Sequence, residues 1–471
     1  MRRLLLLTLL VLMGCESGSS GSELRFEMIR ADGQNAARGL SGHLVVEVEQ
    51  GGVPIDCPNG ACATPIMGGD FDLVLPIRSL TDDTLVRAWL CNNTNDAAEC
   101  TLDRADRVSA LPRFAVFGEG FETGELPARL VMEPHDSCAV LQAESVSTSG
   151  DDVLLSVARR DAAVFVRRNA ALIVGGVAGS EQPSGAVDFY DQVVAELRPP
   201  LPTLSPVLGR ARGVMLSDDL SLVAGGRSFF YIRNPVPGPP VLGGVDLHDG
   251  AGLESAVVER PGGAAVLGGG GGATASWVAT DGAVEISSLA TARVNAAAGA
   301  MASGVLVVGG GVGAEIARAS GSTALEVEER LLPDDAEGGF VAVSPDGDAA
   351  LYFGFVTGGA VSTESVLFTG CSDCAAAEGP EWTRARAEAS FVTTDAGTSW
   401  VIGGDASNLT DRVRWEGAVP RFEDGPELTH ARAGASVIEQ ASGIIVVLGG
   451  EGPDRMRGDV ELCYPSRLDP L

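Results

Sequence analysis

The 471-residue chain contains no lysine; all 33 of its basic residues are arginine. Against 63 acidic residues they leave a formal net charge of −30. So acidic a surface repels phosphate backbones and anionic headgroups, so no nucleic-acid partner is expected. The four histidines, His43, His135, His248 and His430, are scattered, with no HExxH and no close pair to hold a metal. There is no GxSxG nucleophile elbow. Aromatic residues make up only 5% of the chain, whereas glycine reaches 62 positions. Such a balance suits many tight turns and small-residue packing better than long helices. Long apolar runs are also missing. The one candidate, Leu4 to Met13, is too short to cross a bilayer as a helix and has the size of a signal-peptide core.

That run follows Arg2-Arg3 and ends Leu12-Met13-Gly14-Cys15, which resembles a bacterial lipobox. The resemblance implies a lipoprotein signal peptide over 1–14, cleavage before Cys15 and acylation of that cysteine, palmitate included. Two or more acyl chains anchor a protein stably. The expected location is the bacterial cell envelope, at the outer membrane or cell surface. Residues 15–22, rich in serine and glycine, read as a flexible tether.

Eight cysteines remain, an even number in a chain bound for an oxidising compartment. Spacing suggests Cys57 with Cys62, Cys91 with Cys100, and Cys371 with Cys374. That leaves Cys138 and Cys463. Zinc competes for the short pairs, but no second CxxC or spaced histidine pair accompanies them.

Residues 23–134 hold short alternating strands such as LRFEMIR, HLVVEVEQ and LVRAWLC, separated by polar turns. This reads as a small β-sandwich, in the manner of an immunoglobulin domain. From Cys138 onward a repeat takes over. Apolar runs end in glycine at Gly175, Gly225, Gly268, Gly309, Gly403 and Gly449, at spacings of 50, 43, 41, 94 and 46 residues. The long spacing is twice 47, and ALYFGF with Gly354 fills its middle. Each of the seven units carries a strand, a turn, the glycine-ended strand, a third strand and room for a fourth. That is the plan of a β-propeller blade. The pattern resembles the kelch family, whose blades carry Gly-Gly after the second strand and often an arginine before the first. The expected fold over 138–471 is therefore an all-β, seven-bladed kelch-like propeller, with six to eight blades as the range. The last unit lacks a fourth strand, and the segment Cys138 to Val157 can supply it. Cys138 then lies near Cys463.

Several stretches imitate enzymes. Val305 to Ala319 resembles a dinucleotide-binding fingerprint, yet sister units hold glycine in the same register without the full pattern. Thr393 to Trp400 resembles the Asp box of sialidases, a structural motif in that family. Asp346-Gly347-Asp348 reads as a polar hairpin turn. Galactose oxidase is also built on kelch-type blades, but its Tyr, His and Cys copper ligands find no match by motif. No cofactor is expected.

One constellation remains. Arg160, Arg212, Arg293, Arg386 and Arg432 precede the first strands of five units, while two units offer Glu254 and Glu337. In the kelch family this position lies near one mouth of the central channel, so the resemblance implies a positive spot for a carboxylate or an acidic loop. The competing role is structural: each arginine ties backbone carbonyls or pairs with an acid. The expected function is a monomeric, non-enzymatic binding or scaffold module that engages a protein or glycan through one propeller face. The alternative is a glycan-active enzyme, sialidase-like or galactose-oxidase-like.

Overall fold

The computed structural model of the chain describes residues 22–31, 41–50, 53–54, 62–67, 72–77, 84–92, 113–116, 128–142 and 154–464, the last apart from 168–169, 193–194, 206, 218–219, 226–227, 234–240, 245–246, 248–254, 371–373, 395–396 and 441–442. The expected signal segment, Cys15, Cys57, Cys100, Cys371 and Glu254 lie outside them. The fold is all-β; a 3-10 turn at Gly179–Glu181 is the one helical element among the described residues.

Seven four-stranded antiparallel sheets succeed one another, each paired in chain order. The first comprises Ala163–Arg167, Ala170–Val174, Val187–Asp191 and Glu196–Leu201. The seventh has Ser436–Glu439, Ile445–Leu448 and Val460–Cys463, and takes its fourth strand, Cys138–Val140, from far upstream. Cys463 and Cys138 face each other in that ladder and are joined by a disulfide, closing a loop of 325 residues. The degenerate unit is a full sheet too: Ala349–Phe353 is its second strand, and Gly354 follows at φ 68°.

Second strands are largely apolar because both of their faces are covered. Every residue of Ala170–Val174 and Ala349–Phe353 is buried. Covering by neighbouring sheets removes the alternation that a half-exposed strand shows. Fourth strands such as Val284–Ser288 face water in part and are polar. Leading strands need small residues, since they lie side by side. A Cβ on Gly213 would sit 2.3 Å from the Phe165 ring, and one on Gly299 would sit 2.5 Å from Val341. Phe340 and Phe391 stack between the fifth and sixth leading strands, with centroids 5.3 Å apart. The seventh leading strand meets the first, where Ser436 Oγ donates to the Ala162 carbonyl at 2.8 Å.

The glycine doublets join one sheet to the next. Gly403 and Gly404 take φ of 63° and 98°, a region that glycine enters without steric penalty. The Gly404 N–H donates to the Arg432 carbonyl of the following unit at 2.9 Å. A Cβ on Gly403 would stand 2.1 Å from that oxygen. The same bond recurs from Gly176 to Leu208, Gly269 to Arg293, Gly310 to Ala336 and Gly450 to Arg159.

The N-terminal part holds two further sheets. Ser22–Ile29 pairs antiparallel with Asp72–Ile77 and parallel with Ala128–Val131. Ser41–Gln50 pairs with Val53–Pro54, Cys62–Met67 and Thr84–Asn92, and the last also pairs with Arg113–Val116. Cys62 and Cys91 fall within these strands. Tyr464 Oη donates to the Val131 carbonyl at 2.8 Å, and Ala31 and Val131 belong to one core with Tyr190, Leu462 and Tyr464.

Two enzyme-like stretches resolve as hairpins. After Gly304–Val308 comes the antiparallel strand Ala314–Arg318, not the helix a dinucleotide site requires. Ser390–Thr393 and Ser399–Ile402 form the hairpin of the Asp-box stretch, whose Asp395 lies outside the described residues. Asp346 likewise caps a turn, accepting from Ser344 Oγ at 2.5 Å and Asp348 N at 3.1 Å.

The disulfide yields a direct prediction. Non-reducing peptide mapping is expected to recover Cys138 and Cys463 in one cross-linked fragment. Replacing both by serine is expected to remove about 2–5 kcal/mol of stability and to lower the melting temperature without changing the secondary-structure content. Recovery of either cysteine in another bridge contradicts the closure.

Candidate functional site

Four buried arginines organise the sheets from within. Arg293 donates through Nε to Glu315 at 3.0 Å and through Nη1 to the carbonyls of Gly309 and Gly313, both at 2.9 Å. Arg432 reaches the Gly449 carbonyl at 2.8 Å, Asp459 at 2.7 Å and Glu461 at 2.8 Å. Arg386 holds Asp411 at 2.5 Å and also the carbonyls of Gly403, Val401 and Leu409. In the first unit this role falls to Arg159, paired with Asp188 at 2.7 Å, and not to its neighbour Arg160. Each arginine thus satisfies carbonyls at the end of its own second strand and an acid on its third. The carbonyls of Arg159, Arg293 and Arg432 meanwhile receive the glycine N–H of the preceding unit.

The expected convergence of five arginines is therefore corrected in part. Arg293 and Arg432 are fully buried in their sheets and do not reach the space between leading strands. Arg386 borders that space, but its guanidinium is held by the sheet. Arg160 and Arg212 do line it. The physical reason is that a buried guanidinium left without partners is costly, so the repeat places an acid and carbonyls around it.

The space is a cavity of about 840 Å³ between the leading strands of all seven sheets. At its mouth the backbone does something unusual. Two residues beyond the glycine-bonded carbonyl, or beyond Arg386 in the sixth unit, the chain turns left-handed. Asp161 has φ 52°, Arg210 45°, Asn295 55°, Gly338 66°, Glu388 53° and Gly434 58°. All six line the cavity. Main-chain bonds link neighbours around the mouth: Asp161 N to Gly434 O at 2.7 Å, Gly434 N to Glu388 O at 2.8 Å and Gly338 N to Asn295 O at 2.7 Å. Sequence reasoning passed over Asp161, Arg210, Asn295 and Glu388. The signal was their fixed offset from the unit's arginine or its equivalent.

Charge at the mouth is arranged in two groups. Arg160 meets Glu181 at 2.8 Å, Glu388 at 3.3 Å and Glu451 at 3.1 Å. Burial works against its charge, but the hydrogen bond with Glu181 and the fields of Asp161 and Glu388 prevail and raise its pKa. The same hydrogen bond lowers that of Glu181. Asp161 is pushed the other way. Desolvation raises its carboxyl pKa despite Arg160, Arg210 and Arg212. Among the described residues the Arg212 side chain makes no hydrogen bond or ion pair.

His430, Asp459 and Glu461 also come together. Arg432 already occupies the two carboxylates, and His430 Nδ1 lies 3.0 Å from Asp459. This is a satisfied ion-pair cluster.

Two aspartates should respond oppositely to neutralisation. Burial opposes the Asp459 charge, but Arg432 and His430 outweigh it and lower its pKa below 3.8. Its contribution to stability is thus complete above the unfolded value and is lost as pH falls through the folded one. Asp161 is raised above 3.8, so its ionised form disfavours the folded state at neutral pH. Thermal melts at pH 7 are expected to show Asp459→Asn melting lower than the parent and Asp161→Asn melting higher. The same direction for both variants contradicts this electrostatic assignment.

No family model and no curated protein matches the chain. Among solved structures, a fungal alcohol oxidase of the AA5 family, in complex with copper, superposes with a TM-score of 0.52 at 14% identity, covering 68% of this chain and 77% of that one. The structure of YjhT superposes with a TM-score of 0.41 at 11% identity, covering 65% and 95%. The likeness to the oxidase is one of all-β fold. The cavity does not fit a copper centre of Tyr, His and Cys ligands, because none of these lines it among the described residues. Tyr190, Tyr352 and Tyr464 are buried in the sheets.

Proposed function

We propose that the seven sheets are the blades of a closed propeller and that the mouth of its central cavity is a binding face. The protein then acts as a non-enzymatic binding module. In this reading acylated Cys15 anchors it at the bacterial envelope, and the two N-terminal sheets form an immunoglobulin-like spacer between tether and propeller. Its partner is a protein or a glycan. The oxidase's likeness of fold supports the propeller, and the contact between first and seventh leading strands supports closure.

The observation that carries the binding reading is the left-handed ring. Arg210 and Glu388 occupy a backbone conformation that disfavours ordinary side chains, and two sister units hold glycine there. Strain of this kind, on the order of 1 kcal/mol or more per residue, is held in place by the surrounding structure and clusters at functional sites. Asp161 and Asn295 tolerate the conformation better and add a carboxylate and an amide to the same rim.

The rival reading as a glycan-active enzyme draws on Asp161 and Glu388. Asp161 has the raised carboxyl pKa that suits a general acid. Glu388, its neighbour, is engaged by Arg160. Probing an array of glycans and peptides with the full mature chain separates the two readings. Expected is binding without turnover, diminished when Glu181 and Glu388 are both replaced by glutamine in a variant that keeps its circular dichroism spectrum. Turnover of a bound glycan that disappears in Asp161→Asn overturns the binding reading in favour of the enzyme.

A further inference from the structure

The cavity behind the mouth holds an arginine whose side chain finds no direct partner among the described residues. Arg212 begins the second leading strand, Arg212–Ser217, and lines the cavity. It is exposed. No hydrogen bond or ion pair to its side chain is found among the described residues. This sets it apart from Arg159, Arg293, Arg386 and Arg432, which are all tied to an acid and to carbonyls. It also differs from Arg160, which is surrounded by three glutamates. Arg210, on the rim beside it, is likewise exposed and free of direct partners among the described residues. Asp161 is the acid whose field reaches both. Asp161 also pairs with Arg160 at 3.6 Å, so Arg212 feels the field of an acid without a direct ion pair of its own.

The walls below are apolar. Val164, Val257, Ala298, Val341, Phe391 and Val437 come from different sheets and face the same space. Around the rim stand Glu337 and Glu388, with Glu181 and Glu451 close to Arg160. These acids repel a dianion or a polyanion, whereas a single negative charge can pass at lower cost. A guanidinium pairs with a carboxylate through two parallel hydrogen bonds.

We infer that the cavity binds a small monocarboxylate with an aliphatic body, its carboxylate held by Arg212 with Arg210 beside it and its body against the apolar walls. The inference rests on the binding reading and names the chemistry of the ligand. Desolvation by the enclosing protein lowers the Arg212 pKa, and Asp161 offsets this. A bound carboxylate adds the direct hydrogen bonds that Asp161 does not make. The source of the carboxylate is either a free aliphatic acid or the C-terminus of a peptide, and the shared chemistry is the same.

Isothermal titration of the full mature chain tests this with octanoate, octanol, inorganic phosphate, and an N-acetylated Ala-Val-Leu tripeptide as free acid and as amide. Expected is binding of octanoate, of the free-acid tripeptide or of both, with the neutral counterpart and phosphate binding at least about tenfold more weakly. Arg212→Gln, which breaks no direct side-chain hydrogen bond or ion pair among the described residues, is expected to weaken acid binding about tenfold to a hundredfold. Ala298→Leu, which narrows the cavity, should weaken it as well, and the melting curve of each variant verifies folding. Binding of neither acid, equal binding by Arg212→Gln, or tighter binding of phosphate overturns the inference. The array experiment probes the rim through Glu181 and Glu388 and does not depend on Arg212. Failure here with array binding intact therefore discards the ligand class alone. Loss of array binding with the carboxylate still bound discards the macromolecular face alone.

Discussion

The structure depends on one local arrangement, a buried arginine at the joint of successive sheets, complete at Arg159, Arg293 and Arg432. Its side chain binds carbonyls at the end of its own unit's second strand and an acid on the third. Its main-chain carbonyl receives the N–H of the second glycine in the preceding unit. Arg432 does both, through Gly449, Asp459 and Glu461 on one side and Gly404 on the other. The glycines follow from this geometry, since a Cβ on Gly403 would overlap the Arg432 carbonyl. Both the repeat's glycines and its arginines are thus parts of the same joint. A buried ion pair is no guarantee of net stability, because desolvation offsets much of the attraction. What the joint supplies is hydrogen bonding for buried carbonyls at the place where successive sheets meet.

Much of this was legible in the sequence. Seven glycine-ended apolar runs correspond to seven second strands because a strand covered on both faces must be largely apolar. The incomplete last unit and the cysteine count pointed to the segment Cys138 to Val157 as the source of the closing strand, which the structure places at Cys138–Val140. Register was harder. Arg159 and Arg160 are adjacent, and sequence alone does not say which turns into the sheet and which faces the cavity. The answer depends on Asp188, an acid 29 residues from Arg159 that the fold brings to it. The ring at the mouth was illegible for a different reason. A left-handed backbone at Asp161 or Glu388 leaves no mark in composition or periodicity; it is imposed by hydrogen bonds between units.

The joint also explains where function can reside. Arginines consumed by the sheets are unavailable to a ligand, which removes Arg293 and Arg432 from the candidate site. The residues two positions further on are released from the sheet and ring the mouth. Their conformation is the same in six units, whereas their side chains differ: carboxylates, an arginine, an amide and two glycines. Uniform backbone with varied side chains is the mark of a shared scaffold bearing an individual surface. The stretch Thr393 to Gly404 illustrates the converse. Its Asp-box likeness and its Gly-Gly belong to a hairpin and a joint, so its message concerns the fold.

The central claim is that the arginine and its acid act as one unit within the joint. A double-mutant cycle on Arg293 and Glu315, both fully buried, tests it most directly. With Arg293→Met, Glu315→Leu and the double variant, each single change is expected to remove about 3–5 kcal/mol of stability by leaving a buried charge without its partner. The double variant is expected to recover part of that loss, with a coupling of about 2 kcal/mol or more. Additive losses, with coupling near zero, would contradict the account.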